Sequence, residues 1–169
     1  MKWKYVLPSI LVFGPLAVVS DAICQIPDSG PDIASLSAVR WGMSMQEVKD
    51  RFRSTIETIS DTSMILEDSF LDSKVKVVLT FGDSPLQNGL KFVELQFADN
   101  NLLDRVLLYL KTRYGEKYEM QKQEKHKFFI TIDFETRKWV LEHETMVLAV
   151  FSSGGEVMAL SLLYNPGKE

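Results

Sequence analysis

Alternation of apolar and polar residues at every second position constrains this chain more than any other feature. Val75, Val77, Leu79 and Phe81 alternate with Lys74, Lys76, Val78 and Thr80, and Val93, Leu95 and Phe97 alternate with Phe92, Glu94 and Gln96. Successive side chains of a strand point to opposite faces, so each run predicts a strand with one face on a core. The stretch 63–70 reads as a weaker strand. Asp72-Ser73 makes a tight connection, and Gly82-Asp83-Ser84-Pro85 with Asn88-Gly89 marks a longer hairpin loop. Later, Phe128, Ile130, Ile132 and Phe134 alternate with Phe129, Thr131 and Asp133. Further strands are expected over 139–143, 145–151 and 156–164, with Ser152-Ser153-Gly154-Gly155 as a hairpin turn. Residues 146–151 are apolar on both faces, which predicts a central strand.

Two helices interrupt these runs. Ser44 followed three residues later by Glu47 is a capping box, and Met45, Val48 and Phe52 then share one face of a short helix over about 45–53. Met43 before the cap and Val48 after it make a hydrophobic staple. Asp99 or Asn101 caps a second helix over about 102–114, where Leu103, Val106, Leu107, Leu110 and Tyr114 keep 3–4 spacing and Gly115 stands at the C-cap. The order is helix, about three strands, helix, about four strands. Hairpin-linked strands imply α+β: an antiparallel sheet with two helices packed on one face. The halves share one layout, which leaves open a duplicated helix-plus-three-strand repeat. Residues 37–165 are expected to form this single domain, with 25–36 as an extended linker and 166–169 as a tail.

The first two dozen residues read as an address. Lys2 and Lys4 precede an apolar run from Tyr5 to Val19, followed by Ser20, Asp21, Ala22, Ile23 and Cys24. That is the positive, apolar, small-residue order of a secretory signal peptide over 1–24. The run is short of the ~20 apolar residues a membrane helix needs, and Pro8 and Pro15 interrupt it. Cleavage fits after Ala22 or after Cys24. The expected location is periplasmic or secreted. Removing this segment takes away Lys2, Lys4 and Asp21, moving the formal charge from −4 to −5. An acidic chain lacks the basic footprint of a nucleic-acid binder. One Cys and two His leave little for a metal site.

The stretch Trp41-Gly42-Met43-Ser44-Met45-Gln46-Glu47-Val48 resembles the start of helix one in small exported bacterial proteins, including the β-lactamase-inhibitor-protein-like fold and the small lipoprotein of the outer-membrane β-barrel assembly machinery. It is closer still to exported proteins carrying Trp-Gly-Met-Ser, then a Tyr-Gly helix end, then a Trp in the following strands. Tyr114-Gly115 and Trp139 stand in those places. The resemblance implies a helix-plus-antiparallel-sheet repeat and a protein-binding role. The chain departs from the assembly lipoprotein after helix one, where Phe52-Arg53-Ser54 replaces Gly-x-Pro.

Chemistry-bearing residues are sparse. His143 lies between Glu142 and Glu144, which in a strand share the face opposite to it, an arrangement expected to be a solvated charged surface. His126 sits among Lys122, Lys125 and Lys127, and between Lys111 and Lys127 six Lys/Arg stand against three Glu, a local excess suited to an anionic partner or lipid headgroups. Glu67-Asp68 and Asp133 with Glu135 are the carboxylate pairs that acid–base chemistry would use. Trp41, Met43 and Met45 are candidates for an exposed apolar contact, against the plainer reading of Trp41 as cover between the first helix and the sheet. The expectation is an exported envelope protein without catalytic activity, cofactor or metal, which holds another protein along a sheet face or edge by aromatic and apolar contacts, with Trp41, Met43, Lys122, Lys125, His126 and Lys127 as candidate interaction residues. The alternatives are a membrane-tethered assembly accessory and an envelope hydrolase. Membrane contact is expected only through an uncleaved N-terminus, a lipidated Cys24 or the basic patch.

Overall fold

The structure is a computed structural model that describes residues 31–52, 56–82, 89–127, 130–142 and 144–166. The expected signal segment 1–24, residues 25–30 of the expected linker, residues 53–55 at the expected end of the first helix, residues 83–88 of the expected hairpin loop, Phe128, Phe129, His143 and residues 167–169 lie outside these. The elements run α1 (Met45–Arg51), β1 (Ile56–Ser60), β2 (Ser63–Phe70), β3 (Ser73–Phe81), β4 (Leu90–Phe97), α2 (Leu103–Tyr114), β5 (Glu119–Lys127), β6 (Ile130–Val140), β7 (Glu144–Ser153) and β8 (Glu156–Pro166). One antiparallel sheet takes all eight strands in the order β1-β2-β3-β4-β8-β7-β6-β5. Each half is a helix and a four-strand meander. The halves meet where β4 pairs with β8, from Val93 opposite Tyr164 to Gln96 opposite Ser161. The expected α+β class with an antiparallel sheet and helices on one face holds, and β7 is interior to the sheet, between β8 and β6.

Several boundaries differ from the sequence reading. The first meander has a fourth strand, β1, so each half is helix plus four strands. α1 ends at Arg51, two residues early. β6 runs unbroken through Glu135-Thr136-Arg137-Lys138, where two strands were expected. Packing starts ahead of Ser37: Ile33 and Leu36 are buried, and a 3-10 turn spans Leu36–Ala38. The Ser35 N–H donates to Asp68 Oδ2 at 2.8 Å, tying this lead-in to β2.

Among the described residues, the buried strand positions follow the alternation onto a single core, apart from Leu90, which the irregularity at Thr80/Phe81 puts out of phase with Val93, Leu95 and Phe97, and Ala149. Met64, Leu66, Val77, Leu79, Val93, Leu95, Leu148 and Leu162 meet Val48 of α1 and Val106 and Leu110 of α2. Full burial of one such side chain stabilises by about 1.5–3 kcal/mol, so this side of the sheet holds the fold together. Ala149 is buried on the other face, between Thr136 and Ser161 of the neighbouring strands. Trp139 lies against Tyr118, ring centroids 4.9 Å apart, and donates from Nε1 to the Gly115 carbonyl at 3.0 Å, fastening the end of α2 to β6.

The Trp41–Ser44 stretch is a clasp. Gly42 N–H donates to the Leu90 carbonyl at 3.1 Å and Leu90 N–H to the Met43 carbonyl at 2.7 Å. Gly42 has φ +81°, a conformation that costs other residues about 1–2 kcal/mol. Gly89 lies so close that a Cβ on it would sit 2.4 Å from the Gly42 carbonyl oxygen. Ser44 Oγ accepts from Glu47 N–H at 3.3 Å while Glu47 Oε2 accepts from Ser44 N–H at 2.8 Å, the capping box expected from sequence. The second helix is capped through an intermediate: Asp99 Oδ1 accepts from Asn101 N–H at 2.9 Å and opens a 3-10 turn, Asn100–Leu102, that runs into α2.

Candidate partner-binding face

The two helices occupy one side of the sheet, and the residues between the core positions line the other. Register connects them into rows. One row crosses the sheet from Ile65 through Val78, Glu94, Leu163, Val147 and Lys138 to Glu119. A second runs Glu67, Lys76, Gln96, Ser161, Ala149, Thr136, Gln121. A third brings Ala159, Phe151, Phe134 and Gln123 together. Phe134 and Phe151 touch with ring centroids 4.6 Å apart, and next to them Ile132 is 39% exposed and Phe151 41%. The β1–β4 part of this face is mixed and charged. The β6–β7–β8 part is an apolar surface rimmed by Lys138, Glu119 and Lys125, the composition of an interface centre with a polar rim. β5 beyond it is an edge strand, paired among the described residues only on its β6 side.

The residues singled out from sequence fall into different places. Met43 is buried, and its sulfur accepts from Arg40 N–H at 3.1 Å. It is a core residue, which corrects the expectation of an exposed contact. Trp41 is half-buried: it stacks on Tyr164 at 5.2 Å and donates to Glu144 Oε1 at 3.3 Å, so it serves as cover over the ends of β7 and β8. Glu144 is 2% exposed, which corrects the expected solvated Glu142–Glu144 surface; Glu142 lies in the turn before β7.

The basic patch is divided by the pleat of β5. Lys122, Glu124 and His126 share the helix side; Gln121, Gln123, Lys125 and Lys127 occupy positions of the opposite side. Lys122 Nζ is 2.7 Å from Glu135, and His126 reaches Glu124 at 3.1 Å and Thr131 Oγ1 at 3.1 Å. Neighbouring carboxylates thus offset part of the excess charge, and the four residues do not form one cationic surface.

On the helix side, beside the start of α2, a cleft of about 610 Å³ is lined by Leu103, Lys122, Glu124, Asp133, Glu135, Arg137, Val150 and Val157. Arg137 donates from Nε to Glu135 Oε1 at 2.6 Å and Lys122 holds the other oxygen. Burial pushes the Glu135 carboxyl up, but the hydrogen bonds from Lys122 and Arg137 outweigh it and hold the group below the ordinary carboxylate value. An acid–base pair needs one carboxyl held protonated near neutral pH, and Glu135 is held the opposite way. Asp68 of the other carboxylate pair is bound to the Ser35 backbone, while Glu67 points to the far side of the sheet. Among the described residues, no cluster of three or more His, Cys, Asp and Glu is placed to hold a metal ion, and no helix is long and apolar enough to cross a membrane.

No protein-family model, curated protein or solved structure matches this chain.

The apolar surface at Ile132, Phe134 and Phe151 escaped the sequence reading. The signal was present: Phe151 stands in a strand that is apolar on both faces, and Phe134 on the apolar face of a strand whose other face carries Asp133, Glu135 and Arg137. Alternation identifies two apolar faces but not which of them a helix covers.

Proposed function

We propose that the chain is an exported, non-catalytic binding module of the bacterial envelope, which holds another protein against the helix-free face of its sheet. The observation that carries this reading is the Phe134–Phe151 pair, flanked by Ile132 on that face and rimmed by charge. Aromatic and aliphatic residues of this kind anchor interfaces when a partner excludes water from them. Export rests on the order of Lys2, Lys4, the apolar run and the small residues up to Cys24. The resemblance carried by Trp41–Val48, Tyr114-Gly115 and Trp139 points the same way.

A photoreactive side chain at Phe151 in the exporting cell tests the binding face. The expected result is an adduct of one defined mass, absent when the reactive group is at Asp104 on α2 and lost with Ile132→Asp. Adducts at both positions, or at neither, would overturn it. The intact mass of the exported protein separates cleaved, uncleaved and lipidated forms, and retention of Met1 would contradict the export reading.

A further inference from the structure

We propose that β5 pairs with β5 of a second copy, antiparallel, about a two-fold axis passing beside Gln123, so that two sheets join into one. β5 is nine residues long, about 30 Å, and among the described residues has no strand on its outer side. Its residues from 121 to 126 are all exposed. Charged residues on an edge ordinarily prevent such pairing, but what they do depends on where register puts them. In a two-fold antiparallel pair, directly opposite residues lie on the same face, so the axis must pass beside one residue that meets its own copy.

With the axis at Gln123, Lys122 faces Glu124 of the second copy, Glu119 faces Lys127, Gln121 faces Lys125 and Met120 faces His126. No like charges meet. Moving the axis one residue either way sets Lys122 against Lys122 or Glu124 against Glu124. Opposite charges across strands stabilise and like charges destabilise, so the edge is self-complementary in one register and self-repelling in both neighbours.

A second observation favours the same register. Within the chain Glu124 lies directly opposite Asp133, a like-charge pair. The free side of Glu124 is where Lys122 of the second copy arrives. Lys122 is 68% and Glu124 57% exposed, so both can turn outward. The isologous contact closes at two copies, as common dimer symmetry requires. This inference does not depend on the binding-face reading, because the edge and the apolar face are separate surfaces.

Cysteine cross-linking reads the register. The full chain carries Cys24→Ser, so that the introduced thiol is the only one. Gln123→Cys places two thiols on directly opposite residues, within the Cα separation a disulfide needs, whereas Gln121→Cys, on the same face and equally exposed, sets them four positions out of register. The expected result is a covalent dimer from Gln123→Cys forming at least about tenfold faster than from Gln121→Cys. Sedimentation of the unmodified protein is expected to show a concentration-dependent dimer, weakened by Glu124→Lys, which relieves the Asp133 repulsion inside the chain and therefore spares the fold. Equal cross-linking rates, a protein monomeric at every concentration, or growth beyond two copies would each overturn the proposal.

Discussion

Glu135 shows how one side chain sets the character of its surroundings. Its carboxylate sits on the helix side of β6, in the cleft that Leu103 of α2 also lines, bridged by Lys122 and Arg137, with Arg137 also lying over the Tyr118 ring at 5.9 Å. Charge-assisted hydrogen bonds of this kind contribute about 1.5–3 kcal/mol each when well shielded, and less where one partner is as exposed as Lys122. Because the folded state holds this carboxyl below its unfolded value of about 4.3, its contribution is present above that value and is lost as pH falls through the folded one. Glu135→Gln is therefore expected to cost about 1–2 kcal/mol at pH 7 and to flatten the acid side of the stability profile below about pH 4. Urea unfolding across pH checks both. An unchanged acid slope would mean that the bridge contributes nothing.

At the scale of elements, α1 has seven residues, too few to persist alone in water. It holds its place through the Ser44–Glu47 box, the burial of Val48 and the clasp of Gly42 and Met43 on Leu90. Gly89→Ala forces a Cβ against the Gly42 carbonyl and is expected to destabilise by about 1–3 kcal/mol. Denaturant unfolding measures this; a neutral result would show that the clasp can open without cost. The capping box was legible because its signal is local, and so was α2, whose apolar spacing runs unbroken from Leu103 to Tyr114. The course of β6 was not. Its charged middle reads as a break between strands, because a hydropathy pattern reports where cover ends and not where hydrogen bonding ends. Glu135 and Arg137 neutralise each other beside the cleft while Thr136 and Lys138 face outward, so the strand continues without an apolar face. β1 was hidden for a related reason: five edge residues carry too little alternation to stand out.

For the whole molecule, the decisive contact is the least local of the strand pairings. The pairing of β4 with β8 fuses two meanders into one sheet, and residues as far apart as Val93 and Tyr164 specify it. Alternation identifies the faces of each strand but not its neighbours, so fold class could be read from sequence and strand order could not. Strand order in turn decides which aromatics come together: Phe134 and Phe151 meet because β6 and β7 align, and they lie outside because both helices pack on the opposite side. The central claim is that this opposite face is free in the folded chain. Two substitutions on the same strand test it, Phe151→Asp on the open face and Leu148→Asp on the covered one, compared by denaturant unfolding. Leu148 is fully buried, and a carboxylate there is expected to remove at least about 4 kcal/mol or to prevent folding. Phe151→Asp is expected to cost no more than about 1.5 kcal/mol, the scale of its lost ring contact with Phe134. If Phe151→Asp unfolds the protein as Leu148→Asp does, the face is part of the core and the account fails.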